Sequence, residues 1–362
     1  MEYLYQGGIE RLLEQIARHT PEEAASLFFF AYQAPKVVGM AKELEQSGVP
    51  LYCYDKPAGY DLNLLRELIS LVRKNRIQTI HTHDFGPMEY AVALKIRFPR
   101  IQLVHTHHSL HYFLRFRRYI WAFRLFSLFY SRIICVSDHV REELSRHCPT
   151  ARRKLLTINN GVSVSAFDPV ETKLSPGPLR IVNVSRLSPE KNVVHTLLAL
   201  KRLKGDGVEF EFHHAGSGDV VEEKKLQDFV EENGLSDRVH FHGFQTDVRK
   251  ILELGDVFVT SSKTEGHPVA VLEAMASGKI CLCSDIAPHR LLSKESILFF
   301  NLEDDSLATL LKSVSRDLGQ YSPLRVKARE EVAQKFSLER MIGDYLQLYV
   351  ANRNNILVTA AL

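Results

Sequence analysis

Short β-rich runs alternate with amphipathic stretches through the chain, and this alternation restricts the fold more than any other feature. In the first half the runs are Leu27–Ala31, Leu51–Tyr54, Thr79–His83, Gln102–Thr106, Ile133–Ser137 and Leu156–Asn159. In the second half they are Arg180–Ser185, Glu209–Ala215, Arg238–Gly243, Val257–Ser261, Ile280–Ser284 and Leu298–Phe300. Helical patterns such as Leu62–Arg73, Val194–Leu203 and Lys224–Glu232 lie between them. Strands and helices in alternation predict parallel sheets covered by helices on both faces, the doubly wound α/β class. Twelve strands exceed one usual open sheet, so two are expected. The densest Pro/Gly cluster, Ser175-Pro176-Gly177-Pro178, falls between the sixth and seventh runs and marks the expected break. At 362 residues each half is the size of one domain, and no sequence repeat relates the halves. Open α/β sheets bind ligands beyond the carboxyl ends of their strands, next to helix N-termini, so two such domains predict a cleft between them.

Composition narrows the functional classes. Apolar residues at 45% and charged residues at 25% exclude wholesale disorder, collagen and coiled coil. A formal net charge of +3 gives no argument for a nucleic-acid partner. The five cysteines form no CxxC pair, which suits a reducing compartment. Cys281 and Cys283 would share one strand face as small hydrophobes. Met1 to Gly8 shows no basic region followed by an apolar run, so no signal peptide is expected. No apolar stretch reaches the ~20 residues that span a bilayer. The expectation is a cytoplasmic protein.

Four segments carry candidate chemistry. Gly7-Gly8-Ile9-Glu10-Arg11 opens a helix, where backbone amides can approach an anion; the alternative is a tight turn. Arg186-Leu-Ser-Pro189-Glu-Lys191-Asn192 puts two cations at the carboxyl end of a strand, with Pro189 suited to a first helical turn. Cations at a helix start oppose the dipole, and a bound diphosphate would satisfy them; the alternative is a solvated pair near Glu190. Glu265-Gly266-His267-Pro268 precedes a helix that ends at Gly278 and carries Glu273. Two carboxylates near free amides suit sugar and ribose hydroxyls; the alternative is a helix-terminal charge and a surface glutamate. His81, His83, His105, His107 and His108 close two strands, but no HExxH accompanies them, so they are read as hydrogen-bonded loop residues rather than metal ligands. Asp-x-Asp, Gly-x-Ser-x-Gly and GxGxxG are absent, and Gly216-Ser217-Gly218 alone signals only a turn.

Taken in order, these pieces resemble the retaining glycosyltransferases of family GT4. The resemblance covers nearly the whole chain: Gly7-Gly8-Ile-Glu-Arg, Thr106-His-His108-Ser, Asn160-Gly161-Val162 with Phe167, Val184-Ser-Arg186-Leu, Glu190-Lys191-Asn192, Ala215-Gly216-Ser-Gly218, Val239-His-Phe-His-Gly243-Phe244, and Glu265…Glu273-Ala-Met-Ala-Ser-Gly278 as the E-x7-E element. The pattern Phe336-Ser-Leu-Glu…Tyr345 resembles the family's last helix. The resemblance implies a GT-B fold, two Rossmann-like doubly wound domains facing across a cleft. It divides the chain into an acceptor-side domain at 1–174, a nucleotide-sugar domain at 179–340 and a terminal helix at 341–362 that crosses back. Arg186 and Lys191 would bind the donor diphosphate, Glu273 the ribose, and Glu265 with the amides of Gly266, His267 and Pro268's helix the donor sugar. His108 would face that sugar. Gly7 and Gly8 would lie by the diphosphate, and Gly243 and Phe244 by the base. The donor would be a UDP-sugar, with a GDP-sugar as the alternative, and neither metal nor cofactor is implied. Departures are Ser163 for the usual Asp, Lys279-Ile280 without a common Pro, His267 at a frequently apolar position, and only six residues before Gly7. Other readings on the same architecture are a sugar-nucleotide epimerase and a non-catalytic nucleotide-sugar-binding protein; the ordered Arg186, Lys191, Glu265 and Glu273 set disfavours the first.

Tyr112 to Arg132 stands apart. It holds Arg115, Arg117, Arg118, Arg124 and Arg132, no acid, and the chain's single tryptophan, Trp121. One-signed charges among aromatics suit an interfacial helix against anionic headgroups. The expectation is peripheral attachment to the cytoplasmic membrane face and a lipid-linked acceptor. The alternative is a helix with its aromatics on the sheet and its arginines in water.

Overall fold

The computed structural model describes residues 8–20, 26–31, 48–167, 177–350 and 355–360. Thirteen strands occur among them: β1 (Ser26–Ala31), β2 (Leu51–Cys53), β3 (Thr79–His83), β4 (Gln102–His107), β5 (Arg132–Cys135), β6 (Leu155–Thr157), β7 (Leu179–Val184), β8 (Phe210–Ala215), β9 (Val239–Phe241), β10 (Val257–Thr260), β11 (Ile280–Ser284), β12 (Ile297–Phe300) and β13 (Asn355–Ala360). They form two parallel sheets, ordered β2-β1-β13-β3-β4-β5-β6 and β12-β11-β10-β7-β8-β9. Each sheet belongs to one compact unit. The first unit comprises the described residues up to Asn160 and those from Glu339 onward; the second runs from Gly161 to Leu338.

All twelve expected strands are present, with ends shifted by a residue or two. The thirteenth was not expected. The family pattern predicts a terminal helix over 341–362, whereas the helix Leu338–Val350 is followed by β13, which lies between β1 and β3 and is parallel to both. Ile356 and Val358 on it are buried. The packing break also precedes the expected one at residues 175–178. Val162 donates to Phe336 and accepts from Leu338 through the backbone, at 3.0 Å each, which ties the start of the second unit to its end. A Cβ on Gly161 would meet the Ser337 carbonyl at 2.4 Å, so this crossing admits only glycine without a backbone shift.

Local chemistry explains the helix starts. Ser137 accepts from the Val140 amide, Asp61 from Asn63 and Asp219 from Glu222, each satisfying a first-turn donor. Leu64, Leu68, Ile80, Leu103 and Ile133 pack one core. In the second unit Leu197, Phe212, Val259 and Leu282 fill one face of the sheet, and Val182, Phe258, Leu272 and Cys281 the other. Cys281 and Cys283 are both fully buried. No helix of the described residues is long and apolar enough to cross a membrane.

Candidate active site

The second unit gathers polar side chains at the carboxyl ends of β7, β10 and β11. After β7 the chain crosses the loop that follows β8: Ser185 donates to the Ala215 carbonyl and Leu187 to that of Ser217, both at 3.0 Å. The crossing is tight. A Cβ on Gly216 would meet the Ser185 carbonyl at 1.9 Å, and one on Gly218 that of Leu187 at 2.0 Å. Gly216-Ser217-Gly218 is therefore a clamp on the segment holding Arg186, more than the turn read from sequence. Pro189 does not begin a helix; the helix starts at Val193, with Asn192 as its left-handed N-cap at φ 53°.

Lys191 and Glu265, 74 residues apart in sequence, meet here: the lysine Nζ lies 2.6 Å from Glu265 Oε1. Ser262 donates to the same oxygen at 2.7 Å. Burial raises the Glu265 carboxyl, but the Lys191 charge and hydrogen bond, His289 and Ser262 outweigh it and hold it below the usual carboxylate range. The carboxylate is thus ionised and keeps capacity for a further donor. Four residues on, the helix Val269–Ala276 begins behind Pro268, bringing its positive end to the loop. The helix closes as expected at Gly278, which adopts φ 64°. Lys279, the departure from the family pattern, is 2% exposed and donates to the Gly255 carbonyl. Burial pulls its ammonium down to about 8. Arg325 donates to the Gly278 carbonyl and Arg329 to that of Ala276, so cations serve the negative end of this helix.

Glu273 is 7% exposed, so it is no surface glutamate. His267 is buried with Nδ1 unpartnered, and its ring lies 5.5 Å from that of Phe336. Burial lowers its pKa to about 4 against the pull of Glu265. Gly243 adopts φ 63° and accepts from the Gly216 amide, while Phe244 is 36% exposed. Arg186 is not drawn to Lys191 or Glu265: its side chain is 76% exposed and meets Glu190 at 3.4 Å. Gly8 is the first residue of the helix Gly8–His19, and Gly7 lies outside the described residues.

His108 belongs to the first unit. His81, His83, His105, His107 and His108 sit on or just after β3 and β4, not in free loops, and all five are buried. His83 Nδ1 and His108 Nε2 are 2.9 Å apart, and His81 Nε2 is 2.8 Å from Thr106 Oγ1, which also reaches the Tyr345 hydroxyl at 3.4 Å. Burial, then His107 and His81, pulls His108 to about 3, so its ring is neutral near pH 7. Among the described residues no group of three or more His, Cys, Asp or Glu is arranged to hold a metal ion.

Tyr112 to Arg132 is not one helix. It forms His111–Arg115, Arg117–Phe126 and a tight turn at Ser127–Phe129. Phe113 and Phe123 enter the core, whereas Trp121, Leu125 and Leu128 are 63%, 57% and 58% exposed. Arg115, Arg117 and Arg118 are exposed with them. Arg124 differs from the expected patch: it is half-buried, donates to the His147 carbonyl at 2.8 Å and lies 4.8 Å from the Trp121 ring.

Sequence reasoning missed His289, fully buried in the helix Ala287–Arg290 after β11. Its signal was a Pro-His pair just beyond the carboxyl end of a strand, the location that singled out the other candidates. Its Nδ1 lies 2.8 Å from the Ser284 carbonyl. Ser284 Oγ donates to the Ser262 carbonyl at 2.6 Å, which links His289 to the Glu265 loop.

Residues 6–166 match the Glycosyltransferase Family 4 profile and residues 165–331 that of Glycosyl transferases group 1. The UDP-Gal:alpha-D-GlcNAc-diphosphoundecaprenol alpha-1,3-galactosyltransferase of Escherichia coli is 24% identical over 322 residues, 83% of this chain and 82% of that protein. The GDP-mannose:cellobiosyl-diphosphopolyprenol alpha-mannosyltransferase of Xanthomonas oryzae pv. oryzae is 23% identical over 79% of this chain and 77% of its own. In fold, the chain superposes on Anabaena HepE, solved in complex with UDP-glucose, with a TM-score of 0.84 at 18% identity, covering 97% of this chain and 98% of that one.

Proposed function

Because the chain belongs to the group 1 glycosyltransferases of the family 4 type, with a GT-B fold of two Rossmann-like units, we propose that it moves a hexose from a nucleoside-diphosphate donor to a lipid-linked acceptor, with retention and without a metal ion. It is a glycosyltransferase of glycan biosynthesis. A UDP-sugar is favoured, since the Escherichia coli relative is named for UDP-Gal and HepE was solved with UDP-glucose; the Xanthomonas relative keeps a GDP-sugar as the alternative. Both relatives are named for diphosphopolyprenol-type acceptors, which supports the lipid-linked assignment.

The observation that carries this reading is the Lys191–Glu265 pair, beside a helix N-terminus at the strands' carboxyl ends. In the reaction the bond from the anomeric carbon to the diphosphate oxygen breaks and a bond to the acceptor oxygen forms on the same face. The acceptor proton passes to the departing phosphate oxygen. Negative charge grows on the diphosphate, and Lys191, Arg186 and helix amides stabilise it where it grows. Exposed Arg186 is free to swing onto it from Glu190. Glu265, ionised, accepts from donor-sugar hydroxyls; Glu273 holds the ribose.

The two carboxylates separate in a mutational test. Glu273→Ala should weaken nucleotide affinity roughly ten- to hundredfold through a lost charged hydrogen bond. Glu265→Ala should lower sugar transfer by a similar factor while nucleotide affinity changes little. Titration of UDP and assay of nucleoside-diphosphate release read the two effects; equal, mild losses in both would leave the glutamates structural. An inverted anomeric configuration in the product, read by NMR, would contradict retention.

The outward stripe of Trp121, Leu125 and Leu128, flanked by Arg115, Arg117 and Arg118, supports docking on the anionic cytoplasmic face of a membrane. At about 1 kcal/mol per cation near the surface, losing three cations alone weakens vesicle binding by roughly a hundredfold, and reversing all three arginines to Glu should weaken it by at least that. Flotation should show binding that needs anionic lipid and fades with salt. Equal binding to neutral and anionic vesicles would remove the docking surface.

A further inference from the structure

His289 has a fixed tautomer and an unanswered nitrogen. Its Nδ1–H donates to the Ser284 carbonyl at 2.8 Å, so in the neutral ring Nε2 carries the lone pair. That Nε2 is buried without a partner. Burial weighs most on the ring and disfavours a proton on it, and two charges act beside it from opposite sides of the balance. Glu265, in the loop after β10, favours a proton on it; Lys191, in the loop after β7, disfavours one. Two further titratable groups feel Glu265: His267, whose ring burial keeps neutral near pH 7 against that pull, and Cys283 on β11, whose thiol burial keeps protonated. Asp285 and Arg290, flanking the histidine, pair with each other at the surface. His289 is joined to the Glu265 loop through Ser284 and Ser262, and while its Nε2 acceptor lacks a donor, Glu265 takes one from Lys191 at 2.6 Å and one from Ser262 at 2.7 Å.

Resting on the donor reading above, we propose that nucleotide-sugar binding hands Glu265 from Lys191 to His289: the ammonium turns to the diphosphate, and His289 Nε2 takes up a proton from solvent to become the carboxylate's new cationic partner. The diphosphate reinforces the exchange, because it engages the lysine and also brings negative charge to the same loops. His289 is then a positioning residue. It keeps Glu265 ionised and in place for the donor sugar after its first partner has left. The balance is one proton from buffer to Nε2, with no covalent change.

Proton uptake on binding is directly measurable. UDP-glucose is the probe, with GDP-mannose in parallel, because neither carries a terminal phosphate that titrates near neutrality. Calorimetric titration of the full chain at pH 7 in phosphate and in Tris should give different heats, the difference reporting a substantial fraction of one proton taken up. Affinity should strengthen as pH falls from 7.5 to 6.5, by up to about tenfold for a fully linked proton. His289→Gln places a permanent neutral donor near the Nε2 position; it should retain binding and lose both the buffer difference and the pH slope. Should that variant not fold, imidazole nitrogen NMR of the wild type reads the same event, as one histidine passing to the imidazolium form on adding the nucleotide sugar. Binding with equal heats in both buffers overturns the handover and leaves the donor site standing. A buffer difference that survives in folded His289→Gln assigns the proton elsewhere and also overturns it. No binding of either nucleotide sugar overturns the donor reading, and this inference with it.

Discussion

Deleting residues 355–362 should cost the first unit its cooperative fold. β13 is a central strand, paired with β1 from Ser26↔Asn355 to Ala31↔Ala360 and with β3 from Thr79↔Ile356 to His83↔Ala360. Its loss opens a slot in the sheet and strands backbone groups on both neighbours, at about 1–3 kcal/mol for each one left buried and unpaired. It also removes Ile356 and Val358, which are 0% and 1% exposed; truncating such side chains to alanine alone costs about 2–5 kcal/mol for isoleucine. The sum exceeds the ~5–15 kcal/mol that holds a domain together. The single change Val358→Asp should act in the same direction by burying a carboxylate in the sheet. Circular dichroism and denaturant titration check this: the truncated chain should lose the first unit's transition while the second unit's core, built from other residues, still unfolds cooperatively. An unchanged transition for both units would mean that β13 is not integral to the sheet.

That strand also shows where sequence reading stops. Twelve strands were legible because each is a short apolar run set off by turn residues and followed by a helical pattern. Asn355–Ala360 lacks that context. It follows an amphipathic helix at the end of the chain, and its partners, β1 and β3, lie hundreds of residues earlier, so nothing local records the slot it fills. The break between units was misplaced for the same reason: Ser175-Pro176-Gly177-Pro178 is the stronger punctuation, yet Val162 is committed to the second unit by its bonds to Phe336 and Leu338.

The candidate site was more legible than the boundary. Pro268 and Gly278 mark a helix, and Arg186, Lys191 and Glu265 follow strands, so their placement at one edge of the sheet comes from topology alone. Their contacts do not. The sequence gives no sign that Lys191 chooses Glu265 while Arg186 stays with Glu190, because both choices depend on how three loops converge. Likewise, the aromatic and basic character of Tyr112 to Arg132 was visible, but not that Phe113 and Phe123 turn inward while Trp121 turns out.

Lys191 carries the largest expected effect on function. Its Nζ meets Glu265 at 2.6 Å and sits at the loop where a diphosphate would arrive. Lys191→Ala removes a charge-assisted hydrogen bond of about 1.5–3 kcal/mol, which is roughly a ten- to 150-fold loss in nucleotide affinity. Transfer should fall further, since charge on the leaving diphosphate is greater in the transition state than in the bound donor. The variant also leaves Glu265 without its ammonium partner, so its thermal unfolding must be recorded alongside, to separate lost contact from lost fold.

The most direct measurement is a titration of UDP-sugars and GDP-sugars into the wild-type chain and Lys191→Ala, with EDTA present throughout. The account predicts saturable binding of at least one nucleotide sugar to the wild type in EDTA, weakened at least tenfold or so in a folded Lys191→Ala. Binding that appears only when a divalent ion is added back, or that is equally tight without the lysine ammonium, would contradict it.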